Sequence, residues 1–397
     1  MTDQAISAPA TKRASTSPIY DPKVRSIFYQ VLTVVVLVLA VWWIGHNVSA
    51  NLARSNTATG FGFLGGRSGF DIGQSLIPYT SDSTYGRAIL VGFLNTLLIA
   101  VTGIFTATVV GFIIGIGRLS KNWLIAKLCT VYVEVFRNIP PLLVIFFWYS
   151  GVLAILPQPR DAIQLPLSTF LSNRGLTFPA TIWGEGSWIL PVAFVVAVIV
   201  AIVFRAWSTR RQMATGQQLP NGWIAAAIII GLPVVCFIAI GAPLTFDFPI
   251  EGRFNLSGGA NIRPEFVALY LALSLYTAAF IAEIIRAGIK GVGKGQTEAA
   301  AALGIQPAKT TRLVVVPQAF RIIIPPLTSQ YLNLTKNSSL GVAIGFPELF
   351  STGSTSLNQT GQAVEMITIM LAIYLSISIA TSLFMNWFNA KMALVER

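Results

Sequence analysis

Eight apolar runs divide this chain, at 27–44, 88–116, 123–156, 188–204, 223–240, 266–285, 313–334 and 364–387. Each is read against the roughly 20 residues that a helix needs to cross about 30 Å of hydrocarbon. A single such run is also compatible with a core helix of a soluble protein. Eight of them, joined by short polar stretches, leave too little polar surface to wrap a water-soluble core. Only 11% of the residues are charged, against about 25% in an ordinary soluble domain, and the mean hydropathy is +0.69. The expected fold class is therefore an all-α polytopic membrane protein with about eight transmembrane helices. The third run opens with an amphipathic turn near Lys127, and its tail past Pro157 is placed outside the bilayer. The seventh is interrupted by prolines.

Basic residues set the expected orientation. If the N-terminus is cytoplasmic, seventeen of the 27 Lys and Arg residues fall on the cytoplasmic side and seven on the other, leaving Arg137, Arg321 and Lys336 inside or bordering spans. Short loops with this bias face the cytoplasm, so both termini are expected there. The net charge of +12 is then mostly a cytoplasmic face meeting anionic lipid. The charges are spread along loops rather than gathered in a stripe, which argues against a nucleic-acid partner. No small-residue cleavage site follows the polar first 26 residues, so a cleaved signal peptide is not expected. Residues 1–20 are Ser/Thr/Ala/Pro-rich and expected to be disordered. Cys129 and Cys236 lie far apart in apolar surroundings, which excludes a disulfide framework.

Residues that carry chemistry are scarce. The one histidine, His46, follows the first span at the water boundary and reads as a solvated residue rather than a ligand. No Cys/His cluster has metal spacing, no Gly-rich loop ends in Gly-Lys-Ser/Thr, and no nucleophile–base constellation is present. GFIIGIG at 111–117 offers small residues that let neighbouring helices approach closely. Glu134/Arg137 and Glu283/Arg286 stand three apart, a spacing at which an acid and a base on one helix neutralise each other. No internal repeat is convincing, and the satisfied acid–base pairs compete with any coupling role in the rival reading, a secondary transporter or channel. Energy for uphill transport comes from elsewhere.

The stretch 281–340 is the most informative. It leaves the bilayer at Arg286 and returns near Leu313. Thr297 is expected to cap a short helix beginning at Glu298. Alanines 299–302 extend it, Gly304 ends it, and Pro307 starts a second helix with Gln306 as its cap. Pro317 and the Pro325-Pro326 pair each remove an amide donor from the seventh span and are expected to kink or split it. Broken membrane helices are tolerated where they line a cavity or pack in protein.

This pattern resembles the membrane permease subunits of bacterial ABC importers for polar amino acids. The family's cytoplasmic signature stands here as Glu298-Ala299-Ala300, Gly304 and Pro317. RAGI at 286–289, PPL at 325–327, LTKNSSL at 334–340, GFLNTL at 92–97 and YVEVFRNIP at 132–140 also match. The likeness covers about 88–151 and 265–388. The usual core has five spans, so the first span and the pair at 188–241 are additions, as in the longer permeases of general L-amino-acid importers. The implied organisation is a disordered cytoplasmic segment at 1–26, an extra helix and outside loop at 27–87, and the N-terminal portion of the permease core at 88–156. Outside loops with an inserted helix pair follow at 157–264. The C-terminal portion of the core, at 265–390, carries a coupling helix at 296–307.

The resemblance further implies two permease subunits working by alternating access, an ATPase dimer on the cytoplasmic face, and a periplasmic binding protein that delivers the amino acid. Gln296, Glu298, Ala299, Ala300, Gly304 and Pro307 would meet the ATPase. Thr335, Lys336, Asn337 and Ser338 would line the substrate path, with Lys336 facing a carboxylate. Glu134, Arg137, Pro140, Glu283, Arg286, Pro317, Pro325 and Pro326 belong to the structural motifs. ATP and Mg would be needed by the partner ATPase, with no cofactor or metal on this chain. The chain itself is not expected to be an enzyme, and its expected location is the bacterial inner membrane.

Overall fold

The computed structural model describes residues 22–54, 59–242, 244–252 and 256–392. The segment expected to be disordered, 1–20, lies outside them, as do Arg253 and Arg397. Two parallel helices form the centre, α2 (Tyr85–Gly117) and α7 (Pro264–Lys290). Glycines set their separation. A Cβ on Gly111 would lie 2.6 Å from Ile281 Cγ2 and 3.0 Å from the Ala278 carbonyl oxygen, and one on Gly115 would lie 2.8 Å from the Ala282 carbonyl oxygen. The small residues of GFIIGIG thus bring two backbones together, as packing between membrane helices favours.

α10 (Val316–Asn337) runs antiparallel to both, with Leu334 against Gly103 near one end and Ile323 against Gly288 near the other. The shared core holds Ile99, Leu269, Leu273, Ile281, Ile324 and Leu334. Around this trio stand α3 (Trp123–Arg137), α4 (Pro141–Phe146) with its π-helical continuation Phe147–Leu153, α11 (Leu349–Thr360) and α12 (Ala363–Met392). The most apolar window of α7 is 61% buried, whereas those of α1 (Pro22–Arg54) and α6 (Asn221–Ala239) are wholly unburied. α7 is therefore the packing centre. α1, α6 and the outer face of α5 (Ile189–Thr215) offer apolar side chains to lipid. α5 and α6 pack against each other.

Among the described residues six helices are long and apolar enough to cross a membrane, or seven if α3 and α4 with its π turn count as one span. The chain is thus a polytopic helical membrane protein with six to seven candidate spans, consistent with the eight expected. The seventh run is long enough but too polar to count by composition, because of Gln318, Arg321, Gln330, Asn333 and Lys336 on α10. The expected split of that run at Pro325-Pro326 does not occur, and α10 continues through both prolines. Pro317 stands just past the π-helical turn Thr311–Val315, which joins α9 to α10 without a break. The break lies instead in the third run, where Asn138–Pro140 separate α3 from α4 and the two segments meet at 108°. Pro140 caps α4 and Pro141 occupies its first turn, a placement that proline's fixed φ favours.

The spans are all helical; outside them, the described residues of the loops at 157–187 and 241–264 carry eight short strands, too short to leave a readable pattern. β1 (Ile163–Leu165), β2 (Thr169–Ser172), β3 (Gly175–Phe178) and β8 (Ala260–Ile262) form an antiparallel sheet in that order. β4 (Ala180–Trp183) pairs with β5 (Leu244–Asp247), and β6 (Ile250–Glu251) with β7 (Leu256–Ser257). β8 leads directly into α7, so the four-stranded sheet sits over the end of the bundle where α2 and α7 begin. The 60–85 loop closes on the same end. Phe63 and Leu64 pack with Leu349, Met366 and Met370, and Tyr79 donates to the Phe70 carbonyl.

Candidate functional site

At the opposite end, α7 hands over to a projecting helical pair, α8 (Lys294–Ala302) and α9 (Pro307–Thr310). α8 begins four residues earlier than expected, at Lys294 after Gly293. Thr297 is therefore inside the helix rather than its cap, and its hydroxyl donates to the Lys294 carbonyl at 2.7 Å. The helix ends in a Schellman closure: Ile305 N–H bonds the Ala300 carbonyl at 3.0 Å and Gly304 N–H the Ala301 carbonyl at 2.9 Å. Gly304 takes φ +73°, which glycine adopts without steric cost. Nothing in this chain lies within 4 Å of where a Cβ would stand. Only Ala300 of the alanine run is buried. Gln296, Glu298, Ala299 and Pro307 are exposed, and Leu303 projects at the turn, 78% exposed. Gln318 Nε2 donates to Gln296 Oε1 at 3.0 Å, tying α8 to the first turn of α10.

Beside this pair, five charges from three helices converge. Arg118, the C-cap of α2, donates to Glu283 of α7. Arg286 donates to the same carboxylate, with Nε 3.1 Å from Oε2. Arg118 also stands 3.9 Å from Glu134. Arg137 Nη1 lies 4.0 Å from Glu283, and the same guanidinium sits 5.8 Å over the Phe280 ring. The expected i,i+3 pairing holds for Glu283/Arg286. It gives way for Glu134/Arg137, because tertiary packing offers each a closer partner on another helix.

Between these charges and the sheet end, the break after α3 opens a cavity of about 320 Å³. Its lining includes Pro141 at the break, Tyr276 and Phe280 of α7, and the amides Gln330, Asn333 and Asn337 of α10. The three amides stand at i, i+3 and i+7, so they share one helix face. That spacing was readable in the sequence. Of the four expected path residues, only Asn337 lines this cavity. Thr335 and Ser338 are buried and spend their hydroxyls on the Tyr331 and Thr335 carbonyls. Lys336 is exposed and does not line the cavity. Among the described residues, no group of three or more His, Cys, Asp or Glu is placed to hold a metal ion.

Residues 228–394 match the family model described as "Binding-protein-dependent transport system inner membrane component". The chain is 67% identical over 381 residues to a general L-amino acid transport system permease protein of Rhizobium johnstonii, with 96% of this chain and 95% of the relative covered. The chain belongs to the bacterial ABC transporter permease subunits of the polar and general L-amino-acid family. It is also 50% identical to a putative amino-acid ABC transporter permease of Escherichia coli, covering 95% of this chain and 96% of the relative. A glutamate/glutamine/aspartate/asparagine transport system permease of Rhodobacter capsulatus is 40% identical, with 96% of each chain covered. This permease is a multi-pass inner-membrane subunit.

In this permease the GFLNTL block docks one element onto another. Gly92 packs against the start of α11, with its Cβ position 3.0 Å from Leu349 Cα. Asn95 Nδ2 donates to the Pro347 and Gln74 carbonyls at 2.9 and 2.8 Å. Thr96 Oγ1 accepts from Leu349 N–H at 3.0 Å. Glu348, fully buried, caps α11 by accepting from Phe350 and Ser351 N–H, both at 2.7 Å, and from the Tyr374 hydroxyl at 2.9 Å. Glutamate is not one of the usual N-cap residues, so nothing local in the sequence marks Glu348 for this role.

Proposed function

We propose that this permease imports L-amino acids of broad, polar range by alternating access, paired with a second permease subunit. An ATPase dimer engages the α8–α9 end, which is cytoplasmic in this reading, and a periplasmic binding protein delivers substrate to the sheet end. Both chain termini lie on the cytoplasmic side. ATP and Mg are used by the ATPase. The observation that carries the reading is the projecting α8–α9 pair. Its outward face is small and exposed from Gln296 to Pro307, Leu303 stands proud at its tip, and it is anchored to α7 and α10 within this chain. An exposed leucine beside alanines is a surface that gains by being covered. Substrate moves past the amide-lined cavity, where Gln330, Asn333 and Asn337 offer donors and acceptors without a fixed charge.

The complex with its ATPase, reconstituted in liposomes, tests this. Gly304→Asp places a carboxylate on the docking face, and desolvating an unpaired charge is costly. Binding-protein-stimulated hydrolysis or amino-acid uptake should fall about tenfold or more, with the protein still inserted. Glu298→Ala should cost about 1 kcal/mol or less, since an exposed charge is lost. Wild-type values of both rates in Gly304→Asp would remove the coupling role.

A further inference from the structure

The four-stranded sheet and the 60–85 loop enclose a second polar cavity, of about 630 Å³, over the N-terminus of α7. Arg174 from the β2–β3 turn and Arg263 from the residue before α7 line it, with Glu265, Asn173 and Tyr149. Among the described residues, neither guanidinium lies within salt-bridge distance of a carboxylate. Glu265 accepts from the Tyr149 hydroxyl through Oε1 at 3.4 Å, while its buried Oε2 has no partner. Asn173 Oδ1 is also buried without a partner. A buried polar atom left unpaired costs about 1–3 kcal/mol, so two of them on one cavity wall mark a place built to be filled. Arg263 folds its guanidinium across Gly73. It also lines, with Glu265 and Gly73, an adjoining cavity of about 250 Å³ that reaches Gly345 and Thr352 of the core.

We propose that this outer cavity is a binding site for zwitterionic α-amino acids, separate from the amide-lined cavity at the α3–α4 break. Arg174 and Arg263 take the α-carboxylate through charge-assisted hydrogen bonds. Glu265 and Asn173 take the α-ammonium after a side-chain rotation that turns Oε2 and Oδ1, closed to solvent as they stand, into the cavity, where the ammonium supplies the donors those two acceptors lack. The groups that do the recognising match only what every amino acid shares. The volume is ample for any side chain, since small-molecule sites usually span roughly 300–1,000 Å³. Two cations against one carboxylate also favour substrates bearing a second negative charge. The site holds substrate at the sheet end, where the adjoining cavity leads toward the core. The choice of an amino acid as ligand rests on the importer reading above, while the existence of a polar site rests on the cavity and its unpartnered atoms.

The test uses the whole complex in liposomes, with Asn261→Cys as a reporter in a Cys129→Ser, Cys236→Ser background. Asn261 lines the cavity and is exposed. Alkylation by a membrane-impermeant maleimide is timed with and without L-alanine, propionate or ethylamine, in the absence of ATP and binding protein. L-alanine should slow labelling, whereas propionate and ethylamine, each lacking one charge, should not. In Arg174→Gln/Arg263→Gln the concentration giving half protection should rise about tenfold or more, as expected for loss of charge-assisted bonds. Arg174→Gln alone, on an exposed turn, should raise it in the same direction and guards against misfolding of the double variant. Labelling indifferent to L-alanine overturns the proposal, and so does equal protection by propionate, which would leave an anion site only. Uptake by the wild-type complex is measured in the same vesicles. If uptake is absent the importer reading fails, whereas intact uptake without protection sinks only the outer site.

Discussion

Single residues separate effects that look alike in sequence. Glu283 and Glu134 are both acids followed three positions later by arginine, yet Glu283 holds three guanidinium groups and Glu134 touches one at 3.9 Å. Arg118 has only 8% of its side chain exposed and depends on Glu283 for its closest partner. Glu283→Gln leaves that charge buried and poorly paired, at a cost on the order of 3 kcal/mol. Arg137 is 39% exposed and 4.0 Å from its carboxylate, so Arg137→Gln should cost less than about 1 kcal/mol. Thermal unfolding of the purified subunit in detergent should rank the two variants in that order. Equal melting temperatures would show that the cluster does not hold α2 to α7.

Helices in this permease are spaced by what their glycines meet. On α2, a methyl at Gly111 would press on Ile281 and on the Ala278 backbone, neither of which can swing aside. Gly111→Ala should therefore destabilise by about 1–3 kcal/mol, the usual cost of overpacking. On α6, Gly231 has nothing within 4 Å of its Cβ position, so Gly231→Ala should be neutral or stabilise by about 0.5–1 kcal/mol through helix propensity. Denaturant titration of both variants checks the pair, and a destabilised Gly231→Ala would mean that α6 packs against something beyond α5. The break between α3 and α4 belongs to the same scale. Pro140 and Pro141 start α4 just after α3 has ended at Asn138, whereas Pro325 and Pro326 sit in a helix packed against α7 and α12.

Across the whole molecule, antiparallel packing settles how far α10 travels, whatever its hydropathy. It runs from Ile323 beside Gly288 to Leu334 beside Gly103, and 22 residues of helix extend about 33 Å. Within this chain its polar residues are not buried: Gln318, Arg321 and Gln330 are half-buried, and Asn333 and Lys336 are exposed. Single-cysteine labelling in intact cells checks the resulting topology. Ser208 is a poor reporter, being 1% exposed and bonded to Asn221, so Gln217 in the exposed α5–α6 turn reports one side and Ser257 the other. An impermeant maleimide should mark Ser257→Cys and spare Gln217→Cys. The reverse pattern would place the α8–α9 pair outside and end the ATPase-docking reading.

Local pattern alone determined a good deal. The apolar runs, the close approach allowed by GFIIGIG, the Gly304 helix stop and the Pro307 start are each written in a few consecutive residues, because hydropathy, missing side chains and proline's ring act within one or two turns. The Glu283/Arg286 pair was legible for the same reason. Tertiary structure alone decided which acid Arg118 and Arg137 would meet, where the broken helix falls, and which of residues 335–338 faces a cavity. It also decided the outer cavity. Arg174 and Arg263 are far apart in the chain and share a wall only because β3 pairs with β8, Leu176 opposite Ile262. Strands of three or four residues leave too short a pattern to read, and a site assembled from distant segments has no local signature. Its charges acquire a common ligand only when the backbone has brought them together.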